Sequence, residues 1–116
     1  MRSFKGVKEV FIDDQLKLNI VDFGSEVFVS ADVASIPWCY SVDHEISIDN
    51  VKVVYSHLEV PDVGKVEVVG SNVAGDVKVI NVKYKVKDVN SSIHAYHQII
   101  KYISGRCNEA TYKAPS

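Results

Sequence analysis

His44, Tyr55 and His57 are the residues whose types and spacing point most directly to chemistry, and Cys39 precedes them in the chain. Imidazole and thiolate groups are ligands that zinc prefers, and histidine also transfers protons near neutral pH. Diagonal neighbours on paired strands lie roughly 7–8 Å apart, within reach of a shared ligand. The sequence therefore predicts a candidate small-ligand or metal site at His44, Tyr55 and His57, with His44, His57 and Cys39 as metal-ligating candidates. The alternative is that these rings only fill the rim of an apolar sheet face, and no residue is assigned a catalytic role.

These side chains depend on a hairpin predicted from residues 42–48 and 51–60, which turns at Asp49 and Asn50. Both turn residues tolerate the backbone conformations of tight turns. One face of the hairpin then carries Val42, His44, Ile46, Ile48, Val51, Val53, Tyr55 and His57. The other face, which we expect to meet solvent, carries Asp43, Glu45, Ser47, Lys52, Val54 and Ser56.

A predicted loop at residues 35–41 precedes this hairpin and contains Trp38 and Tyr40. Tryptophan and tyrosine often anchor protein interfaces, because they bury a large area and keep a polar end. We therefore predict Trp38 and Tyr40 as interaction residues. The alternative is that Trp38 folds back into the core.

Lys83, Lys85 and Lys87 alternate with apolar residues and so form a stripe on one face of a predicted strand. A row of ammonium groups is a candidate anion-binding surface, for nucleic acid or for a membrane. The alternative is that the lysines protect an exposed edge strand against pairing with other chains.

The elements that position these residues are predicted from an apolar set of 21 Val and 10 Ile against 3 Leu and 1 Met. Residues branched at Cβ favour strands over helices. Residues 7–12, 16–23 and the segment after a Gly24-Ser25 turn fit a three-stranded meander, with Val10 opposite Leu18.

A third hairpin is predicted from residues 65–69 and 76–87 around a loop at residues 70–75. In its second strand the apolar phase shifts, which indicates a β-bulge or a strand that changes sheets.

One amphipathic helix is predicted over residues 91–104. Asn90, Ser91 and Ser92 are candidates for its N-terminal cap, and Gly105 is predicted to end it. A stripe of Ile93, Tyr96, Ile100 and Ile103 is expected to be buried against the sheet. The fold class that follows is α+β and β-dominated. Six or seven antiparallel strands would form a meander, a sandwich or a partly closed barrel, with the helix over an open face.

Length and composition predict a single domain over residues 1–116. The net charge of −2 and the presence of only two arginines disfavour nucleic acid as a partner. The chain contains none of the common nucleotide-binding, zinc-protease or nucleophile-elbow motifs, and no cofactor is predicted. Neither a signal peptide nor a membrane-spanning apolar run is apparent, which predicts a cytoplasmic protein or a virion component.

By elimination, the sequence predicts a non-enzymatic interaction or assembly subunit, such as a small viral (phage) structural or accessory protein. Its partner would be another protein chain or a second copy of itself, and no membrane partner is predicted. Two alternatives stay open. The first is a β-barrel that binds a small ligand or metal at His44, Tyr55 and His57, and the second is a weak anion or nucleic-acid binder that uses Lys83, Lys85 and Lys87.

Overall fold

A computed structural model describes residues 5–12, 16–38, 42–73 and 75–113 of the chain. These residues form seven strands and one helix: β1 (Gly6–Phe11), β2 (Lys17–Asp22), β3 (Val27–Pro37), β4 (His44–Ile48), β5 (Val51–Val60), β6 (Gly64–Val73), β7 (Asp76–Val86) and α1 (Ser91–Lys113). No helix in the described part of the chain combines the length and the apolar character that crossing a bilayer requires.

The described strands form one antiparallel sheet in the order β1-β2-β3-β7-β6-β5-β4. Consecutive hairpins build two meanders, β1 to β3 and β4 to β7, which join where β3 pairs with β7. Strand β7 is therefore the central strand, and β1 and β4 are the two edges. The sheet is open, and the predicted α+β, β-dominated fold class with a C-terminal helix is confirmed.

The N-terminal meander has the predicted registers. Val10 pairs with Leu18 across β1 and β2, and Leu18 pairs with Ala31 across β2 and β3. Gly24 turns the chain with a φ of 86°, which glycine adopts without strain, and its amide donates to Oδ1 of Asp22 at 2.7 Å. A slip by one residue would turn Leu18 to the opposite face, so the alternating apolar pattern fixes this register.

Helix α1 packs against one face of the sheet, which we call the covered face. One cross-strand row on it consists of Leu18, Ala31, Val82, Val68 and Ser56. The opposite face, the open face, carries no helix among the described residues, and its matching row consists of Asn19, Ser30, Lys83, Glu67 and His57. The core lies between the covered face and the helix and consists of Leu18, Ile20, Val27, Val29, Ala31, Val60, Val66, Val68, Val79, Val82, Tyr84, Ala95, Tyr96, Ile99 and Ile103. Burying these apolar side chains is the main force that joins helix and sheet.

A buried hydrogen bond also joins the sheet to the start of the helix. The Tyr84 hydroxyl, on the covered face, donates to the carbonyl oxygen of Ser92 at 2.8 Å. Burial raises the pKa of Tyr84 above its ordinary value, so the hydroxyl keeps its proton and acts as a donor. The bond satisfies a polar group that the core would otherwise leave without a partner.

Strand β3 is longer than predicted, because residues 35–37 of the expected loop at 35–41 belong to it. Ile36 still pairs with Val79 of β7. Proline has no amide hydrogen to donate, and Pro37 is tolerated because it is the last residue of the strand.

Strand β6 also exceeds the prediction, which placed a loop at residues 70–75. It continues to Val73, because Gly70 pairs with Val54 on one side and with Val79 on the other. A glycine inside a strand often marks a place where another group approaches the backbone closely, and at Gly70 this group is the Trp38 ring.

The predicted bulge in β7 is confirmed. Val69 pairs with Asn81, whereas the next residue, Gly70, pairs with Val79. Ile80 is therefore the extra residue, which explains why the apolar phase of this strand changes at that point.

Helix α1 begins at Ser91 and is capped by Asp88, not by the predicted Asn90, Ser91 or Ser92. Oδ1 of Asp88 accepts hydrogen bonds from the amide and from the hydroxyl of Ser91, both at 2.9 Å. An acceptor at this position stabilises a helix, because its first amides have no partner within the helix.

The predicted helix end at Gly105 was wrong, since α1 continues to Lys113. Glycine weakens a helix by about 1 kcal/mol relative to alanine, but it ends one only where it adopts the left-handed conformation. Gly105 keeps a helical conformation and has no positive φ. The first proline after it is Pro115, so the sequence holds no strong breaker in between.

The buried stripe of the helix differs from the prediction at one end. Tyr96 and Ile103 are buried as expected, and Ile100 is half-buried. Ile93, in the first turn, is 37% exposed and was wrongly assigned to the stripe. Ile99 is fully buried and holds the central position of the contact with the sheet.

Candidate functional site

The hairpin of β4 and β5 has the predicted register around its turn. Ile48 pairs with Val51, and His44 pairs with Tyr55. The two turn residues have φ values of 50° and 69°. Positive φ at both positions is typical of the hairpin turn that matches the twist of the strands.

The predicted pair of Val42 with His57 does not form, because β4 begins at His44. The Asp43 amide donates to the Tyr55 carbonyl oxygen at 2.8 Å. Oδ2 of Asp43 accepts a hydrogen bond from the His57 amide at 3.0 Å and lies 3.2 Å from Nδ1 of the same residue. A carboxylate therefore replaces the expected strand pairing at this end of the hairpin.

The face assignment predicted for this hairpin was wrong. Val54 and Ser56, expected to meet solvent, are buried on the covered face. Tyr55 and His57 lie on the open face and are exposed. The prediction turned the face with His44, Tyr55 and His57 toward the core. Because the helix packs against the other side of β5, that face meets solvent instead.

The outer part of the hairpin exposes apolar side chains on one side. Ile46, Ile48, Val51 and Tyr55 are 49%, 64%, 48% and 38% exposed, and Val53 is half-buried beside them. We call these five residues the hairpin apolar surface. The opposite side of this outer part is polar, and there Nζ of Lys52 lies 3.0 Å from Oε1 of Glu45. The hairpin is therefore amphipathic, with its apolar side in solvent.

His57 lies between two carboxylates. Nδ1 faces Asp43, and Nε2 lies 3.7 Å from Oε1 of Glu67. His44 lies opposite Tyr55 and does not join this cluster through any described hydrogen bond. Among the residues that the structure describes, no three histidine, cysteine or acidic side chains are grouped as a metal ion requires, and Cys39 lies outside those residues. Metal binding at His44, His57 and Cys39 stays a prediction.

The contact between Asp43 and His57 makes stability depend on pH. Hydrogen bonds from the His57 side chain and amide lower the pKa of Asp43 below its usual 3.8. The folded state therefore binds this proton less readily than the unfolded state does, so the contribution is complete above about pH 4 and is lost as pH falls through the lowered pKa.

We expect Asp43→Asn to lower the free energy of unfolding at pH 6 and to have less effect at pH 3. Urea unfolding of both proteins at pH 6, 4 and 3 measures the difference. Asp76→Asn, which removes an exposed carboxylate without an ion pair in the described part of the chain, is the control. A difference between wild type and Asp43→Asn that stays constant over this pH range would exclude the contact as its cause.

Trp38, predicted as an interaction residue, is half-buried and packs against the core. Its ring lies over Gly70 on the covered face, so closely that a Cβ at Gly70 would lie 2.6 Å from Cε3 of Trp38. Part of the Trp38 ring is therefore in contact with the protein's own core and with β6. Tyr40 lies outside the described residues, and partner contact by these two residues stays a prediction.

The lysine stripe lies on the open face of β7, at the centre of the sheet. Lys83 and Lys85 are exposed there, and Lys87 follows just beyond the strand. Because β7 pairs with β3 on one side and β6 on the other, these lysines cannot protect an edge strand. The explanation through edge protection was therefore wrong.

The chain matches no known protein-family model, and no curated protein or solved structure is significantly similar to it. The candidate sites consequently depend on their own geometry. Two are available: the hairpin apolar surface at one edge of the sheet, and the lysine-bearing centre of the open face.

Proposed function

We propose that this chain acts without catalysis by binding another protein chain through the hairpin of β4 and β5, and that a second copy of itself is the partner. The observation that carries the proposal is the hairpin apolar surface, which lies in solvent on an edge of the sheet. Grouped apolar side chains of this kind often mark interaction sites on proteins that are stable in water.

Strand β4 offers the backbone groups for such a contact. It ends the strand order, so one side of it has no strand partner among the described residues, and all five of its residues are exposed. An edge strand presents free amide and carbonyl groups that pair with a strand of another chain. Pairing through β4 would extend the sheet and bring two hairpin apolar surfaces side by side.

The sequence of β4 suits antiparallel pairing with itself. A two-fold axis perpendicular to the sheet keeps both open faces on the same side. With Ile46 opposite Ile46 of the second copy, Glu45 lies beside Ser47, and His44 lies beside Ile48. If the register moved by one step either way, Glu45 would face either its own copy or Asp49. Like charges opposite each other destabilise a sheet. The register centred on Ile46 brings only Asp43 and Asp49 together, beyond the ends of β4, and it is favoured because it keeps like charges out of the strand itself.

This mode of contact is what an assembly subunit needs, and a small viral structural or accessory protein is the class in which we place the chain. The contact uses main-chain hydrogen bonds together with apolar side chains, and it requires no cofactor. The hairpin also carries the predicted ligand-site residues His44 and Tyr55, which would lie at the border of the dimer interface.

The test is the oligomeric state of wild type and of Ile46→Lys, measured by native mass spectrometry and by sedimentation velocity from low to high micromolar concentration. We expect wild type to dimerise, and we expect Ile46→Lys to raise the dissociation constant at least tenfold, about 1.4 kcal/mol. Two lysines would then face each other at the centre of the interface.

Val7→Lys is the matched control, because Val7 is also an exposed residue branched at Cβ, 64% exposed against 49% for Ile46, and it lies on the opposite edge, β1. It should leave the dimer unchanged. A wild-type chain that stays monomeric at high micromolar concentration would refute self-association. A dimer that Val7→Lys disrupts and Ile46→Lys does not would move the interface to β1.

A further inference from the structure

A groove of about 400 Å³ lies on the open face, away from the hairpin apolar surface. Its lining comes from β2, β3, β6 and β7 and includes Asn19, Val21, Phe28, Ser30, Lys65 and Lys83. The volume is within the range of roughly 300–1,000 Å³ that is usual for small-molecule sites. The groove crosses the centre of the sheet, where the backbone is paired on both sides and therefore rigid.

The floor of the groove is apolar at one end. Val21 pairs with Phe28, and both side chains lie on the open face, half-buried. The Phe28 ring packs edge-to-face against Phe23, with centroids 5.6 Å apart and an interplanar angle of 86°. This contact holds the ring of Phe28 in place, so the groove offers a preformed apolar surface.

The other end of the groove carries a positive charge at Lys83, and Glu67, its cross-strand neighbour, also lines the groove. Lys83 lies in the cross-strand row between Ser30 and Glu67, yet its ammonium makes no ion pair with any described residue. Glu67 lies closer to His57, at 3.7 Å from Nε2. Lys85 differs, because its Nζ lies 3.2 Å from Oε1 of Glu26.

We propose that this groove binds an amphipathic organic anion, with a single carboxylate at Lys83 and an apolar chain along Val21 and Phe28. The cross-strand row that contains Lys83 lies next to the row that contains Val21 and Phe28, so the binding positions for the carboxylate and for the apolar chain are adjacent. Ser30 and Asn19, in the same row as Lys83, add hydroxyl and amide donors for the carboxylate oxygens. A charged hydrogen bond beside an apolar floor is the usual composition of such a site.

The charges around the groove select against a polyanion such as single-stranded nucleic acid. Glu67 borders Lys83, and Glu59 pairs across β5 and β6 with Lys65. In the next row, Oδ1 of Asp32 accepts a hydrogen bond from Nδ2 of Asn81 at 2.9 Å. A strand of phosphates would approach all of these carboxylates, whereas a ligand with a single charge at Lys83 approaches only Glu67, whose Oε1 lies 3.7 Å from Nε2 of His57.

The proposal is independent of the proposed dimer, because no lining residue of the groove belongs to β4 or β5. It is tested with decanoate as the probe, by calorimetric titration of wild type, Lys83→Met and Lys87→Met. Methionine keeps the length and apolar character of the lysine side chain and removes only the charge. Lys87 belongs to the same stripe but does not line the groove, so it is the matched control.

We expect Lys83→Met to weaken decanoate binding at least tenfold and Lys87→Met to leave it unchanged. Decyl phosphate, with the same chain and a different anionic head, should also bind, while the uncharged decyl maltoside and inorganic phosphate alone should not. Equal affinity of wild type and Lys83→Met, or equal binding of decyl maltoside, would overturn the proposal. Tighter binding of a ten-residue oligothymidylate than of decanoate would overturn it in favour of a nucleic-acid surface.

Discussion

Replacing Ile99 by alanine lowers the free energy of unfolding by about 2–5 kcal/mol, as expected for a fully buried isoleucine. Ile99 has no exposed surface and belongs to the core between α1 and the covered face. Truncation removes three methyl or methylene groups and leaves a cavity that neither the helix nor the sheet can fill without moving. Urea unfolding followed by circular dichroism measures the change.

Ile93→Ala on the same helix is the control for this prediction. Ile93 is exposed in the first turn, so the same chemical change there should alter stability by no more than about 0.5 kcal/mol. If both variants lose the same stability, the loss reflects the helix itself and not its contact with the sheet. A neutral Ile99→Ala would show that α1 does not pack on the sheet as described.

Local strand pairing was predictable because two independent patterns agree on it. In the N-terminal meander, the Gly24 turn and the alternation of apolar residues both select the register that pairs Leu18 with Ala31. In the β4–β5 hairpin, the turn residues alone were enough to pair Ile48 with Val51. Turn chemistry acts over a few residues, so a single sequence contains it in full.

The face of β5 was not predictable from its own sequence. Its apolar residues fall on both sides, since Val51 and Val53 lie on one face and Val54 and Val60 on the other. Both faces satisfy the alternation expected of a half-buried strand, so the pattern does not decide between them. The decision comes from the helix, whose position is a long-range property of the fold.

The environment of the lysine stripe depended on strand order, which the sequence shows only weakly. The pairing of β3 with β7 joins residues about fifty positions apart in the chain, and it turns β7 from a possible edge into the centre. Only after that pairing is known do Ser30 and Phe28 become neighbours of Lys83 and Lys85. The groove is therefore a product of topology, although each of its lysines is visible in the sequence.

The partners of His57 were missed for a related reason. The prediction extended the ladder to Val42 and so placed Asp43 on the opposite face. In the structure the ladder ends at His44, two residues short of Val42, and Asp43 turns its carboxylate to His57. Glu67 joins the cluster because β5 pairs with β6, which places Glu67 opposite His57. No sequence motif indicates this pair.

Replacing Gly70 by alanine is the second substitution with a large expected effect, a loss of about 3 kcal/mol, at the upper end of the range for overpacking. A Cβ at this position would lie 2.6 Å from Cε3 of Trp38 and 2.7 Å from the carbonyl oxygen of Lys78. A shift of the Trp38 ring would relieve the first contact. The Lys78 carbonyl belongs to the backbone of the paired strand β7, so the second contact is relieved only if the strand itself moves. Gly70 thus lets the Trp38 ring lie directly on β6 at the covered face.

Two comparisons make this prediction specific. Gly105→Ala, in the helix and with nothing within 4 Å of the added Cβ, should raise stability by about 0.5–1 kcal/mol, because it removes only the entropic cost of glycine. In a Trp38→Leu background, Gly70→Ala should cost less than in wild type, because the ring contact is gone, but it should still cost something, because the Lys78 carbonyl remains. Equal costs in the two backgrounds, measured by urea unfolding, would mean that the Trp38 ring does not lie on Gly70. Trp38, the residue predicted as an interface anchor, would then replace the hairpin apolar surface as the first candidate for a contact with a partner.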